Sequence, residues 1–465
     1  MNSKKRTELF TNTDLNKLIR PLIVEQLLAV SVGMFDTMMI SSVGDNAVSG
    51  VSLVDMINVL MINIFAALAT GGAVVCSHEI GFARASKNQD YAPVRRSAKQ
   101  LMFVLLIVSV AIAAVCFFLR AQILGLLYSD GDASRVLDAY GKTSVDHADI
   151  YFAISSISYP FIALYNGFAA LFRTMGNSRV TMYTSLAVNL VNIGGNALLI
   201  YVLDMQTAGA AIATTISRFL GMVILGVLIM NKRNIIYIDF REKFRLEKEK
   251  VKNILSIGVP SGLENSIFNL GRILTISMMT AFGAEQLAAN SIANNIDQLS
   301  VVPGGAVGLA MVTVVGQCIG AGDFEAAIDY KNKLLKKSYL YMDILGVGLI
   351  ASLPLTLQLY SNSYAAKELA FVLICLHVGF GLLLWPPSFV TPHALRAAND
   401  VKFTMIVSIS SMIVFRLGLS YIIGVYMGVG IIGVWIAMIV DWIFRVIMFN
   451  TRFMGGKWLH NVKAK

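Results

Sequence analysis

The chain has 465 residues, 56% of them hydrophobic and only 14% charged, against roughly 25% charge in an average soluble domain. Its mean hydropathy of +0.68 excludes a soluble globular protein, and 37 glycines with 9 prolines exclude a collagen-like or disordered one. The net charge of +10 has to be judged by where Lys and Arg fall along a membrane chain, and nucleic acid is not an expected partner. Cys76, Cys116, Cys318 and Cys375 lie in or beside apolar runs without metal-ligand spacing and read as small core residues.

The opening stretch MNSKKRTELFTNTDLNKLIR is polar for too long to be a secretory signal, so the first apolar run is expected to stay in the mature protein. A helix needs about 20 apolar residues to cross a bilayer core. Twelve such runs follow, centred near residues 32, 62, 109, 161, 190, 219, 267, 301, 348, 379, 413 and 439. Six fall in each half, and an even number per half puts both copies the same way up. The prediction is an all-α integral membrane fold of twelve transmembrane helices in two six-helix lobes related by an axis along the membrane normal. Residues 1–230 form the N-lobe, 231–252 a cytoplasmic linker and 253–465 the C-lobe.

The halves repeat. Pro21, Glu25, Gly44, Ser52 and Gly81 recur as Pro260, Glu264, Gly283, Ser291 and Gly320, each 239 residues later and without a gap. Lys4, Lys5, Arg6, Lys17 and Arg20 precede the first run; Arg84, Arg95 and Arg96 follow the second; Arg173 and Arg179 follow the fourth; Lys331 to Lys337 follow the eighth. The opposite loops SSVGDNAV, LDMQTA, GAEQ and GVYMGVG carry no Lys or Arg, which places both termini in the cytoplasm. Within the linker, IIYIDFREKF reads either as an amphipathic segment on the membrane surface or as a solvated connector.

An ATP-driven pump would carry a phosphate loop. Gly141-Lys142-Thr143 has Val136 where the first glycine belongs, which leaves an ion gradient as the energy source. His78, His147, His377, His393 and His460 are scattered and no catalytic motif is present, so neither an enzyme nor a cofactor is expected. A gradient-driven carrier needs an ionisable group inside the bilayer, where a carboxylate costs about 3 kcal/mol on insertion scales. Asp36, in PLIVEQLLAVSVGMFDTMMI, is that candidate; the alternative is a carboxylate satisfied by a neighbouring helix for packing. Asn189, Asn192 and Asn196 lie at i, i+3 and i+7 on one face of the fifth run, as ion ligands or as interhelical glue. RTMGNSRVTM (Arg173 to Met182) aligns with RAANDVKFTM (Arg396 to Met405) at an offset of 223, which sets Phe415 opposite Asn192 and Leu419 opposite Asn196. Asp36 likewise faces Thr275, so one ion site is expected, in the first half.

Pro21 with Asp36, the paired loop signatures HEIGFARASK and GQCIGAGDFEAA, the paired LFRTMGNSRVTM and LRAANDVKFTM, and Asn192 with Asn196 together resemble the multidrug and toxic compound extrusion (MATE) family. The likeness covers nearly the whole chain. It implies efflux of amphipathic, often cationic compounds and drugs in exchange for H⁺ or Na⁺, from the inner membrane of a prokaryote, by a protein expected to be monomeric among membrane lipids. It also implies an N-lobe cation or proton site of Asp36, Asn192, Asn196 and Thr214, an all-oxygen set suited to a hard cation. Glu264, Asn189 and Asp297 are candidates for substrate binding or gating. Trp385 and Phe268 stand where one branch of the family carries acids. Arg272 calls for an anion, from Asp297 or Glu264; Asp441 and Arg445 read as an i, i+4 ion pair. The rival function is a flippase of lipid-linked sugars, which should show several bases for pyrophosphate; a channel is the third class.

Overall fold

The computed structural model describes residues 9–128, 136–239, 243–360 and 362–463, and helix is the only regular structure among them. Lys4, Lys5 and Arg6, the stretch 129–135 of the loop between the third and fourth runs, and residues 240–242 of the linker lie outside the described residues. In chain order the helices are α1 (Asn12–Ser41), α2 (Asp45–Ala85), α3 (Ala92–Phe118), α4 (Arg120–Leu127), α5 (Ser144–Ile157), α6 (Tyr159–Thr174), α7 (Ser178–Asn196), α8 (Gln206–Ile229), α9 (Lys248–Met279), α10 (Ala284–Ser300), α11 (Val302–Gly320), α12 (Phe324–Thr356), α13 (Tyr364–Trp385), α14 (Thr391–Ala397), α15 (Val401–Ser411), α16 (Ile431–Met454) and α17 (Trp458–Lys463).

Among the described residues, ten stretches are long and apolar enough to cross a membrane. The pair α5 and α6, bent by 46°, makes an eleventh. The bend falls at Ser158, where Pro160 in the first turn of α6 has no N–H to continue the ladder and the Ser158 hydroxyl turns back onto the Ser155 carbonyl at 2.6 Å. One more long helix, α9, has 32 residues but carries Glu264 and Arg272 along it. The all-α membrane fold expected from the sequence is the one the chain adopts.

The chain divides into two compact units. The first comprises Met1–Gln26, Ser77–Gln89 and Leu263–Lys465; the second comprises Leu27–Cys76 and Asp90–Gly262. The change from one to the other falls inside α1, α2 and α9. In the first unit Leu18 and Leu22 of α1 pack with Val307, Met311 and Val314 of α11 and with Trp458; a separate core joins Ile292, Leu373, Trp435 and Trp442. In the second unit the core is Ile40, Val51, Phe65, Phe152, Tyr159 and Ala211.

Two glycines explain one tight crossing in the first unit. A Cβ on Gly81 would meet the Gln317 carbonyl, and a Cβ on Gly320 would meet the His78 carbonyl. These four residues are repeat equivalents, so the C-terminal ends of α2 and α11 cross by the same contact made twice, as in a self-complementary interface. Only glycine allows backbones that close.

Two loop readings are resolved by packing. Thr143 caps α5 through a reciprocal pair with Asp146, so the Gly141-Lys142-Thr143 triplet is a helix start. Just before it, Asp138 accepts from the Tyr140 and Lys142 backbone N–H groups and lies 2.8 Å from His147 Nε2. The hydrogen bond with His147 holds the Asp138 carboxyl below the usual carboxylate range. The described part of IIYIDFREKF is not helical: Ile236 and Ile238 are buried, Ile238 N–H donates to the Ile229 carbonyl, and Arg95 lies over the Tyr237 ring. The described part of the linker is thus fastened to the second unit by its own apolar residues, Ile236 and Ile238.

Candidate functional site

The three asparagines of α7 lie on one buried face, as their spacing requires. Asn196 Nδ2 donates to Asp36 Oδ1 at 2.5 Å and to Asn192 Oδ1 at 3.4 Å, and Asn192 Nδ2 donates to Thr214 Oγ1 at 3.1 Å. Asp36, Asn192, Asn196 and Thr214 therefore form one connected network drawn from α1, α7 and α8. Asn189 points elsewhere: its Nδ2 donates to the Leu28 carbonyl at 3.0 Å and ties α7 to α1. Asn196 is fully buried, yet its Oδ1 has no hydrogen-bond partner. An orphaned carbonyl oxygen beside a carboxylate is an acceptor left for something positive. Immediately after Asn196 the helix widens into a π segment, Ala197–Val202, a feature common at functional sites.

Sequence reasoning left Asp55 and Arg218 unassigned. Asp55 Oδ1 accepts from Asn58 Nδ2 at 3.1 Å and from the Tyr151 hydroxyl at 3.3 Å, while Asn58 Oδ1 accepts from the Tyr159 hydroxyl at 2.8 Å. Arg218 Nη1 donates to Ser158 Oγ at 2.7 Å. Among the described residues neither Asp36 nor Asp55 has a base within ion-pair distance, and counting both against Arg218 leaves one formal negative charge over. A single proton or monovalent cation neutralises it. Two carboxylates and an arginine inside apolar helices were the available signal.

In the first unit Glu264 and Asp297 are already engaged. Glu264 is 5% exposed; Arg396 Nη2 lies 2.8 Å from its Oε1, Ser408 Oγ donates to the same oxygen at 2.6 Å, and Thr404 Oγ1 reaches Oε2 at 3.5 Å. Asp297 lies against His377 and accepts from Ser300 Oγ at 3.0 Å. Neither is within ion-pair distance of Arg272. Arg445 pairs with Asp441 at 3.1 Å and lies over the rings of Phe268 and Phe389. Trp385 stacks on Phe389, which meets Phe268 edge-on. The two positions where acids were looked for are thus part of one aromatic cluster.

Among known proteins, the MatE family model matches residues 21–198 and 260–422, two stretches that begin at the repeated prolines Pro21 and Pro260. An uncharacterized transporter of Bacillus subtilis, YisQ, is 28% identical over 96% of this chain and 94% of its own. A probable multidrug resistance protein NorM of Thermotoga maritima is 25% identical over 96% of this chain and 92% of its own. A crystal structure of MATE in the bent conformation superposes with a TM-score of 0.84 at 21% identity, over 97% of both chains, and so shares the fold.

Proposed function

Because the chain belongs to the MatE family of membrane transporters, we propose that it is a secondary active efflux carrier, exchanging H⁺ or Na⁺ for amphipathic, often cationic compounds by alternating access. Asp36 is the coupling carboxylate, and Asn192, Asn196 and Thr214 are its partners. The observation that carries this reading is Asp36, with no base within ion-pair distance among the described residues, beside the unpartnered Asn196 Oδ1. Burying a net charge is costly, so the empty cluster favours a state in which water or an ion reaches Asp36. Occupancy removes the cost and favours closure. The two coupling ions call on different atoms. A proton on Asp36 turns an acceptor into a donor and releases Asn196; Na⁺ needs oxygens and would turn the amide carbonyls of Asn192 and Asn196 inward.

A cationic substrate and the coupling ion each cancel the same charge, which makes their binding mutually exclusive and the exchange obligatory. The carrier works as a monomer in the cell membrane with both termini cytoplasmic. The test is efflux of a lipophilic cation such as ethidium from proteoliposomes holding the full chain, under an imposed pH gradient and then a sodium gradient. We expect one gradient to drive efflux and Asp36→Asn to reduce the driven rate by about tenfold or more. Unchanged gradient-driven efflux in that variant overturns the assignment.

A further inference from the structure

The first unit contains a second polar cleft, lined by Arg272, Thr275, Asn290, Asn294, Arg416 and Trp435 among apolar neighbours. Among the described residues neither arginine has a carboxylate within ion-pair distance. Of the nearby acids, Asp441 accepts from Arg445 through Oδ1 alone, its buried Oδ2 having no hydrogen-bond partner, and Asp297 lies against His377. Arg416 rests on the Phe268 ring at 6.0 Å and its buried Nε has no hydrogen-bond partner. Arg272 is exposed on a helix at membrane depth, where a guanidinium faces water or an anion instead of lipid. Asn290 Oδ1 accepts from Trp435 Nε1 at 3.1 Å, which leaves its amide nitrogen as a donor. The hydroxyl of Thr275 and the Nδ2 of Asn294 are spent on the backbone carbonyls of Gly271 and Asn290.

The repeat makes the location telling. Thr275 is the equivalent of Asp36 and Asn294 that of Asp55, each at the offset of 239, while Arg272 replaces Gly33 and Arg416 replaces Ile193 at the offset of 223. The place that holds two carboxylates in the second unit has neither in the first and has gained two guanidiniums. We propose that this cleft binds a single anionic group, the carboxylate or phosphate of an amphipathic substrate, so that the carrier accepts zwitterions and anions besides cations. The cleft is small, with room for a few water-sized groups, which suits the oxygens of an anionic head better than an alkyl tail. This inference deepens the efflux reading and rests on it for the word substrate, but not for the binding.

The experiment uses the purified full chain in detergent at fixed ionic strength, read by its thermal unfolding midpoint, because a ligand that binds the folded state raises it. Decanoate, decyltrimethylammonium and inorganic phosphate are the probes. We expect decanoate to raise the midpoint saturably and decyltrimethylammonium to be unable to compete for that effect. Arg416→Gln and Arg272→Gln should each weaken decanoate binding about tenfold or more, the range for a hydrogen bond to a charged group. Arg272 is exposed, so its variant should fold even where the other does not. A matching rise with phosphate alone identifies a free anion as the occupant and overturns the amphiphile. Equal effects of the two decyl probes, or decanoate binding that survives both substitutions, overturn the site. Loss of exchange in Asp36→Asn with decanoate binding intact leaves both readings standing. Intact exchange in that variant removes only the coupling role.

Discussion

Where α7 gives way to its π segment, the second unit holds Asp36 and Asp55 against one base, Arg218. At the equivalent level the first unit holds Thr275 and Asn294 against two bases, Arg272 and Arg416. The π turns differ in the same sense. Both copies carry one, at Ala197–Val202 and at Tyr421–Tyr426, but among the described residues the first unit has two more, Pro386–Val390 and Met412–Leu419, the second of which bears Arg416. Duplication thus preserved the helices while the polar centre reversed sign. A twofold scaffold lets this happen because helix packing depends on small and apolar residues, whereas each centre depends on a handful of side chains that packing does not constrain.

The largest test of this contrast is stability. Arg396→Met strands Glu264 without its base in the first unit, and breaking a buried pair costs about 3–5 kcal/mol. Asp36→Asn removes a carboxylate that no base contacts and keeps a polar group opposite Asn196, so its cost should be within about 1.5 kcal/mol, the scale of one neutral hydrogen bond. Denaturant unfolding of both variants checks the pair, and equal losses would break the comparison. A middle-sized effect comes from restoring the missing acid. Thr275→Asp places a carboxylate beside Arg272 and Arg416 and should weaken decanoate binding about tenfold, or ~1.4 kcal/mol. Binding left unchanged would mean that the arginines do not act together. The smallest is Thr214→Val, which deprives Asn192 Nδ2 of its acceptor. It should cost about 1 kcal/mol, measured as a several-fold rise in the ion concentration needed for half-maximal efflux.

Much of the second unit's site was legible in the sequence. Asp36, Asn192 and Asn196 stand out because polar side chains within apolar runs, two of them at helical spacing, have to turn toward one another and away from lipid. Thr214 followed from the family resemblance. Asp55 and Arg218 did not stand out, since each is a lone charge whose partners, Tyr151, Asn58 and Ser158, are distant in sequence or hidden by the helical turn they share. Glu264 shows the same limit. Its position suggested a free anion for a cationic substrate, and its side chain is held by Arg396 and Ser408, 132 and 144 residues along the chain.

The sequence alone determined the helical membrane fold, the duplication and the face of α7 that turns inward, because hydropathy and the helical period act between neighbours along the chain. Tertiary structure decided which charges neutralise one another. It spent Glu264 and Asp297 on Arg396 and His377, and among the described residues it left Asp36, Arg272 and Arg416 without such partners. Ion pairing is fixed by the rotation and depth of helices distant in sequence, and those are set by how the whole unit packs.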